Sequence, residues 1–421
     1  YEYKLQWKTD VLKGYSGEQR VQLRKNPRQY FNFKYEMTYD EYRSTALAIA
    51  NNPAQQVVMA DWTQFAAGVF GRSDVIYRST RNFRNGQAIV VHPAISGTFV
   101  PFLADIQAIE NDPDYGEFLR MPNTDNARSR KPCLIAPQWS GRLSSGIQFD
   151  LSHSEFVNAS CEWIGDDPPP IWPLGTYYQT IGPDPVLQNY HTSDDGAQHS
   201  YMREVDSLDN EIASPYFRPR YSFKQSRYSF TIRVKVGYEL ERLLGFVHYL
   251  RGRLKPFWLP LWGKNIKVIA DIKADTNTIK CERIYWGDRF ANNRICIWVK
   301  DGCEYKYKFI EVVSVADTAD GKSNLTTTTT IATDTALSDI IMTSFMEYVR
   351  LDSDEVTVKF DGNGNASINF IAISGLKWDI NNTKIVRTMA RRLKCIHSNM
   401  GISYYTIRHQ TIKRLRSEML K

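Results

Sequence analysis

Gly321-Lys322-Ser323 ends like a phosphate-cradling loop, in which backbone amides and a lysine ammonium hold phosphate oxygens. That loop needs a glycine where Ala316 stands, and a strand–loop–helix context that the flanking sequence does not supply. Asp361, Asn363 and Asn365 have the opening spacing of a calcium loop, yet Ala372 occupies the place of its closing glutamate. Asp361-Gly362-Asn363-Gly364 reads instead as a tight hairpin turn. His191, Asp194, Asp195 and His199 share one polar loop at a spacing that matches no standard metal pattern. Ser144-Ser145-Gly146 and Ser152-His153-Ser154 place hydroxyls near an imidazole, but no nucleophile-elbow sequence surrounds them and no acid is set to orient His153. Asp352 and Asp354 form an acidic pair, for which capping or surface charge is the ordinary role at strand edges and turns. The reading assigns no catalytic, cofactor-binding or metal-binding residue and expects no enzyme.

Two surfaces remain. Lys384 to Lys421 carries ten Lys or Arg against the single acid Glu418, with helical spacing at Ile385, Met389, Leu393 and Ile396. Only Tyr404-Tyr405 offers base stacking, so this segment reads as a solvated or partner-facing helix before it reads as a DNA clamp. Phe257 to Trp262 is aromatic enough for a ligand surface, and a buried strand with a proline at its edge is the simpler account.

The elements that would position such surfaces occur twice. Arg28-Gln29-Tyr30-Phe31 opens an alternating strand to Met37. A capping-box start at Thr38 with Glu41 leads into a helix to about Ala50, and an apolar strand runs to Trp62. Arg227-Tyr228-Ser229-Phe230 opens the same order: a strand to Val236, a helix over Tyr238 to Leu250, and a strand to Trp262. Arg28 and Arg227 are 199 residues apart and Trp62 and Trp262 are 200 apart. The correspondence continues from Gly86–Val91 to Asn293–Trp298, and from Arg142-Leu143 to Arg350-Leu351 at an offset of 208. Further strands are expected at 98–109, 132–136, 144–151, 267–272, 306–315, 355–360 and 366–373. A fixed period of this kind marks duplicated structural units. The reading divides the chain into a first domain at 1–164, a Pro- and Gly-rich linker at 165–216, a second domain at 217–380 and the basic segment at 381–421.

Length agrees with two domains, since 421 residues exceeds the size at which single cores stop growing. A net charge of +7 is mild for that length, so solubility accounts for it without nucleic acid. No apolar run reaches the ~18–20 residues that span a bilayer, and the start has no signal-peptide pattern. The first residue is not Met, so numbering is expected to begin inside the encoded protein. The six cysteines have no CxxC pair and read as reduced, mostly buried thiols of a protein made in a cytoplasm.

The repeated pattern resembles a family of bacteriophage tail-tip structural proteins, the distal tail and baseplate hub proteins. Arg227 through Trp262 carries the resemblance most clearly, Arg28 through Trp62 more weakly, with Ser344 to Val356 and Ser140-Gly141-Arg142-Leu143-Ser144 matching later strands. The resemblance implies a mainly β fold with flanking helices: two tandem tail-tube-like antiparallel β-sandwich or barrel domains. It implies a virion protein of a long-tailed phage that forms a ring at the tail tip, joins the tail tube to the baseplate or tip complex and surrounds the DNA channel. Its partners would be copies of itself, as a trimer with pseudo-sixfold symmetry or a hexamer, together with the tube protein and other tip or fibre proteins. DNA would be passing cargo, with no membrane insertion. The ends of the alternating strands are the expected inter-domain contacts, with helices packed outside. A carbohydrate-binding host-adhesion module or a fibre-attachment protein is the alternative.

Overall fold

Period-two alternation of apolar and polar side chains runs through most of the chain, and it folds as strands. The computed structural model describes residues 2–374 apart from 14–17, 52–55, 62–64, 73–74, 78–87, 94–101, 113–115, 122–130, 152–154, 167, 170–172, 192–195, 203–204, 209–215, 220–224, 285–292, 303, 329–332 and 362–363. Tyr1–Leu376 form one unit and Lys377–Lys421 another. The second unit, with the expected basic helical pieces, lies outside the described residues.

The chain opens with β1 (Glu2–Gln6), the hairpin β2 (Thr9–Lys13) and β3 (Glu18–Gln22), and the long β4 (Arg28–Thr38), which runs directly into α1 (Tyr39–Asn51). Then come β5 (Val57–Ala60), β6 (Ala66–Arg72), β7 (Val75–Tyr77), β8 (Ala88–Pro93), β9 (Phe102–Asp105), β10 (Ala108–Asp112) and β11 (Gly116–Arg120). β12 (Lys131–Asp150) and β13 (Phe156–Gly165) close the first repeat. Between the repeats lie the short β14 (Thr180–Ile181), β15 (Asp184–Pro185), β16 (Gln198–Met202), β17 (Val205–Leu208) and β18 (Tyr216–Pro219). The second repeat runs β19 (Gln225–Lys235), α2 (Tyr238–Leu250), β20 (Pro256–Pro260), β21 (Thr278–Glu282), β22 (Asn293–Asp301), β23 (Glu304–Asp317), β24 (Lys322–Thr327), β25 (Ile340–Leu351), β26 (Glu355–Phe360) and β27 (Asn365–Ser374). The fold is mainly β with two flanking α-helices among the described residues, as expected.

Both helices start where the sequence places them. Thr38 N–H donates to Glu41 Oε2 at 2.8 Å and Glu41 N–H donates back to Thr38 Oγ1 at 3.3 Å, the reciprocal capping box. α2 follows the turn at Gly237, whose φ of 105° favours glycine. Leu240, Leu243, Leu244, Val247 and Leu250 are buried on one stripe of α2. Gly245 faces the 173–191 stretch so closely that a Cβ there would lie 2.4 Å from the Pro173 carbonyl oxygen. α1 buries no residue; Tyr39 and Tyr42 lean on Met37, Val157 and Phe149, and Leu47 is left exposed.

Strand pairing shows how the repeats correspond. Gly141 of β12 lies opposite Val57 of β5, and Val349 of β25 lies opposite Phe257 of β20, which keeps the 200 and 208 offsets. Arg142 opposite Ile164 likewise matches Arg350 opposite Ile373. Two expected correspondences shift. Ile164 pairs with Tyr30 and Ile373 with Arg227, so Arg227 stands where Tyr30 stands, not where Arg28 does. The two extra residues are the Val236-Gly237 turn before α2, which has no counterpart between β4 and α1. Ile89 corresponds to Ile295, not to Cys296: Pro137 lies opposite Ile89 as Phe345 lies opposite Ile295. A one-residue slip would put the core face of β8 outside, because side chains alternate; Ile89, Val91, Ile295 and Ile297 are all fully buried.

Other expected strands also differ. The strands at 132–136 and 144–151 are the two ends of the single β12. The expected strand at 267–272 makes only isolated bridges at Val268 and Ile272.

The N-terminal arm belongs to both repeats. β1 pairs with β4 on one edge and with β26 on the other. Tyr3, Leu5 and Trp7 share one buried cluster with Phe31 and Trp163 of the first repeat and Phe230, Leu243 and Phe370 of the second. From the β2–β3 hairpin, Glu18 receives Arg350 Nε at 2.5 Å and Nη2 at 2.9 Å, while Arg20 Nε lies 2.9 Å from the same carboxylate. These three side chains are at most 3% exposed. Burial pulls the Arg20 guanidinium down to about 10, with Glu18 opposing and Arg350 adding to the shift.

Candidate functional site

The motifs that tempt a chemist resolve into turns and ion pairs. Gly321-Lys322-Ser323 sits in the hairpin between β23 and β24, where Lys322 pairs with Asp320 at 2.8 Å and Ser323 Oγ donates to Asp317 Oδ1 at 2.7 Å. Asp361 closes the β26–β27 turn, its Oδ1 accepting Asn365 N–H at 2.9 Å; Asn363 lies outside the described residues. His191 packs on Tyr190 and Trp262, and His199 is on β16. Asp194, Asp195 and the Ser152-His153-Ser154 stretch lie outside the described residues. Ser144 donates to Glu162 at 2.6 Å. Asp352 pairs with Arg227 at 3.7 Å, and Asp354 accepts the backbone N–H groups of Thr9 and Arg253 at 2.6 and 3.0 Å. Among the described residues no group of three His, Cys, Asp or Glu could hold a metal.

Phe257, Leu259 and Trp262 are buried, so the aromatic strand belongs to the core. Cys133, Cys281 and Cys296 are buried free thiols and Cys161 is a half-buried one; burial raises Cys281 to about 11 and Cys296 to about 12. No described helix is long and apolar enough to cross a membrane.

What the fold does build is one continuous eight-stranded sheet. Its order is distal β12, β13, β4, β1, β26, β27, β19, β16, four strands from each side of the β1–β26 seam. One face carries the apolar core. The other is polar, as an antiparallel sheet that meets water should be. Asn32, Lys34, Gln148, Glu162 and Lys359, drawn from four different strands, line one groove across it.

Two lysines of this face have acids beside them. Lys4 of β1 lies 3.9 Å from Glu162 and 3.5 Å from Glu355, and Lys359 lies 3.5 Å from Glu2. Two of these contacts cross the seam between repeats. Each such pair is worth little in stability, but together they hold down the positive field of the face.

No family model matches this chain, and no curated protein is significantly similar to it. Among the described residues the sheet offers a polar face, on which Lys4 and Lys359 stand beside acids, and a strand at each end, β16 and distal β12, registered against a neighbour on one side.

The ends of the alternating strands are the expected places for inter-domain contact. The contact that forms runs along the sides of β1 and β26. Glu2-Tyr3-Lys4-Leu5-Gln6-Trp7 alternates cleanly, and that signal was enough to find β1.

Proposed function

We propose that the chain is a structural virion protein of a long-tailed bacteriophage. It forms a ring at the tail tip that joins the tail tube to the tip complex and surrounds the channel through which DNA passes. The observation that carries this reading is the β1–β26 seam, which sets two equivalent four-stranded sheets side by side through strand pairing. A repeat that already pairs edge to edge with its twin has the geometry that a ring needs from each successive copy. The polar face supports the same reading. A channel must not grip phosphate, and each unpaired Lys or Arg would add salt-dependent affinity for DNA; Lys4 and Lys359 instead stand beside acids. The basic segment at 384–421 is assigned to a protein partner on this reading.

Native mass spectrometry and negative-stain imaging of the purified chain test it. Trimers or hexamers with a central opening are expected. A strictly monomeric protein, alone and with its tube and tip neighbours, would refute the ring and favour a host-adhesion module.

A further inference from the structure

Each strand of the β1–β26 seam has a counterpart in the other repeat, and those counterparts stand at the two ends of the sheet. β1 lies against β4 with Glu2 opposite Asn32 and Gln6 opposite Arg28. β16 lies against β19 with Gln198 opposite Ser229 and Met202 opposite Gln225. β4 and β19 are equivalent through β13 and β27, so β16 occupies the place of β1. At the far end, the distal part of β12 stands to β13 as β26 stands to β27: Phe149 faces Ala159 where Val358 faces Ile368. Among the described residues, β19 is the only strand registered against β16, and β13 the only one against Ile147–Asp150.

Exposure follows the same correspondence. At the seam Tyr3, Leu5, Val356 and Val358 are all buried. Their counterparts are His199 and Tyr201 on β16 and Ile147 and Phe149 on β12. Tyr201 is 73% exposed, His199 is exposed, and Ile147 and Phe149 are only half-buried. These core-facing positions are more exposed than their twins at the seam.

We propose that the β16 edge of one chain pairs antiparallel with the distal β12 edge of a second copy, in the register of the β1–β26 seam. In that seam Tyr3 lies opposite Val358, Lys4 opposite Thr357 and Leu5 opposite Val356. Carried across, His199 meets Phe149, Ser200 meets Gln148 and Tyr201 meets Ile147. The contact is head to tail, so every added copy presents the same two edges until the assembly closes on itself. Closure also removes two edges that would otherwise invite uncontrolled pairing. The inference rests on the ring reading and adds to it the strands and the register.

Cysteine cross-linking with native mass spectrometry on the full chain tests it. Ser200→Cys and Gln148→Cys chains, mixed and oxidised, should give a covalent two-chain product that neither variant gives alone and wild type does not give. A chain carrying both substitutions should give a covalently closed ring of the native mass. Tyr201→Lys, at a side chain 73% exposed in the single chain, should lose the ring while its circular-dichroism spectrum stays that of the folded wild-type chain. A native ring with no cross-link at Ser200/Gln148 or at Gln198→Cys/Asp150→Cys, and undisturbed by Tyr201→Lys, overturns the pairing and leaves the ring standing. A wild-type chain that stays monomeric, alone and with its tube and tip neighbours, overturns both.

Discussion

Glu18→Gln removes the carboxylate that lies between two buried guanidiniums, and its cost can be worked out in advance. Glu18 sits on the β2–β3 hairpin and takes both forks of Arg350 from β25, with Arg20 at 2.9 Å on the same carboxylate. None of the three side chains is more than 3% exposed, so water cannot replace the lost charge. Breaking a buried pair by removing one partner costs about 3–5 kcal/mol. Unfolding entropy of ~2.1 cal/mol/K per residue, taken over the Tyr1–Leu376 unit, gives roughly 0.8 kcal/mol per degree. The variant should therefore melt about 4–6 °C below wild type by calorimetry. Arg350→Met should cost a comparable amount. The double variant should lose less than the two single losses together, because the second substitution removes a charge already stranded by the first. Melting within a degree of wild type, or strictly additive losses, would refute the claim that this contact locks the N-terminal arm to the second repeat.

His248 supplies a pH test. It is buried on α2 against Trp7, and burial lowers its pKa to about 4. The unfolded chain takes up the proton first as pH falls through about 6.5, so stability present above 6.5 is lost progressively down to about 4. Between pH 7.5 and pH 5 wild type should lose about 2 kcal/mol that His248→Leu does not lose, measured by urea unfolding; parallel pH profiles would defeat this. The polar face gives a further test. Glu162→Gln with Glu355→Gln takes both acids from Lys4, so duplex DNA binding should strengthen and its salt slope should steepen by about 0.9 for the one lysine uncovered. Anisotropy titrations that show unchanged affinity and slope would place this face out of reach of DNA.

Much of the fold was legible because both helices and the long strands obey local rules. The α1 capping box is written in Thr38 and Glu41, and α2 in the spacing of its leucines. The repeat was legible in outline but not in register. Arg28 and Arg227 look alike as letters, yet register is set by which strand lies opposite, and a two-residue turn before α2 moves the whole of β19 relative to β4. The same holds for Ile89, where matching by similarity chose Cys296 and the buried face chose Ile295. β16 was hidden for another reason. Its residues lie in a stretch whose Pro, Gly and Asp content reads as linker, and Gln-His-Ser-Tyr-Met carries little apolar contrast. Its partner is a strand further along the chain, which no local pattern can announce.

The asymmetry between the repeats lies almost wholly outside the eight-stranded sheet. Inside it, β1 and β16, β4 and β19, β13 and β27, and distal β12 and β26 keep one register throughout. Outside it, α2 is sealed by the 173–191 stretch: Tyr178 packs on Phe246 at 4.8 Å, and Tyr249 donates to the Pro183 carbonyl at 2.8 Å. α1 holds the equivalent position and keeps Leu47 in solvent. The two constraints on the chain are therefore different. A slip of one residue in the sheet would reverse its faces, so register cannot drift. An outer helix can lose its cover at the cost of a few apolar contacts, or gain it from another protein. On the proposed reading, a ring of three chains would by this division be pseudo-sixfold where it lines the channel and threefold where it meets the tip, since the outer layer is what most distinguishes one repeat from the next.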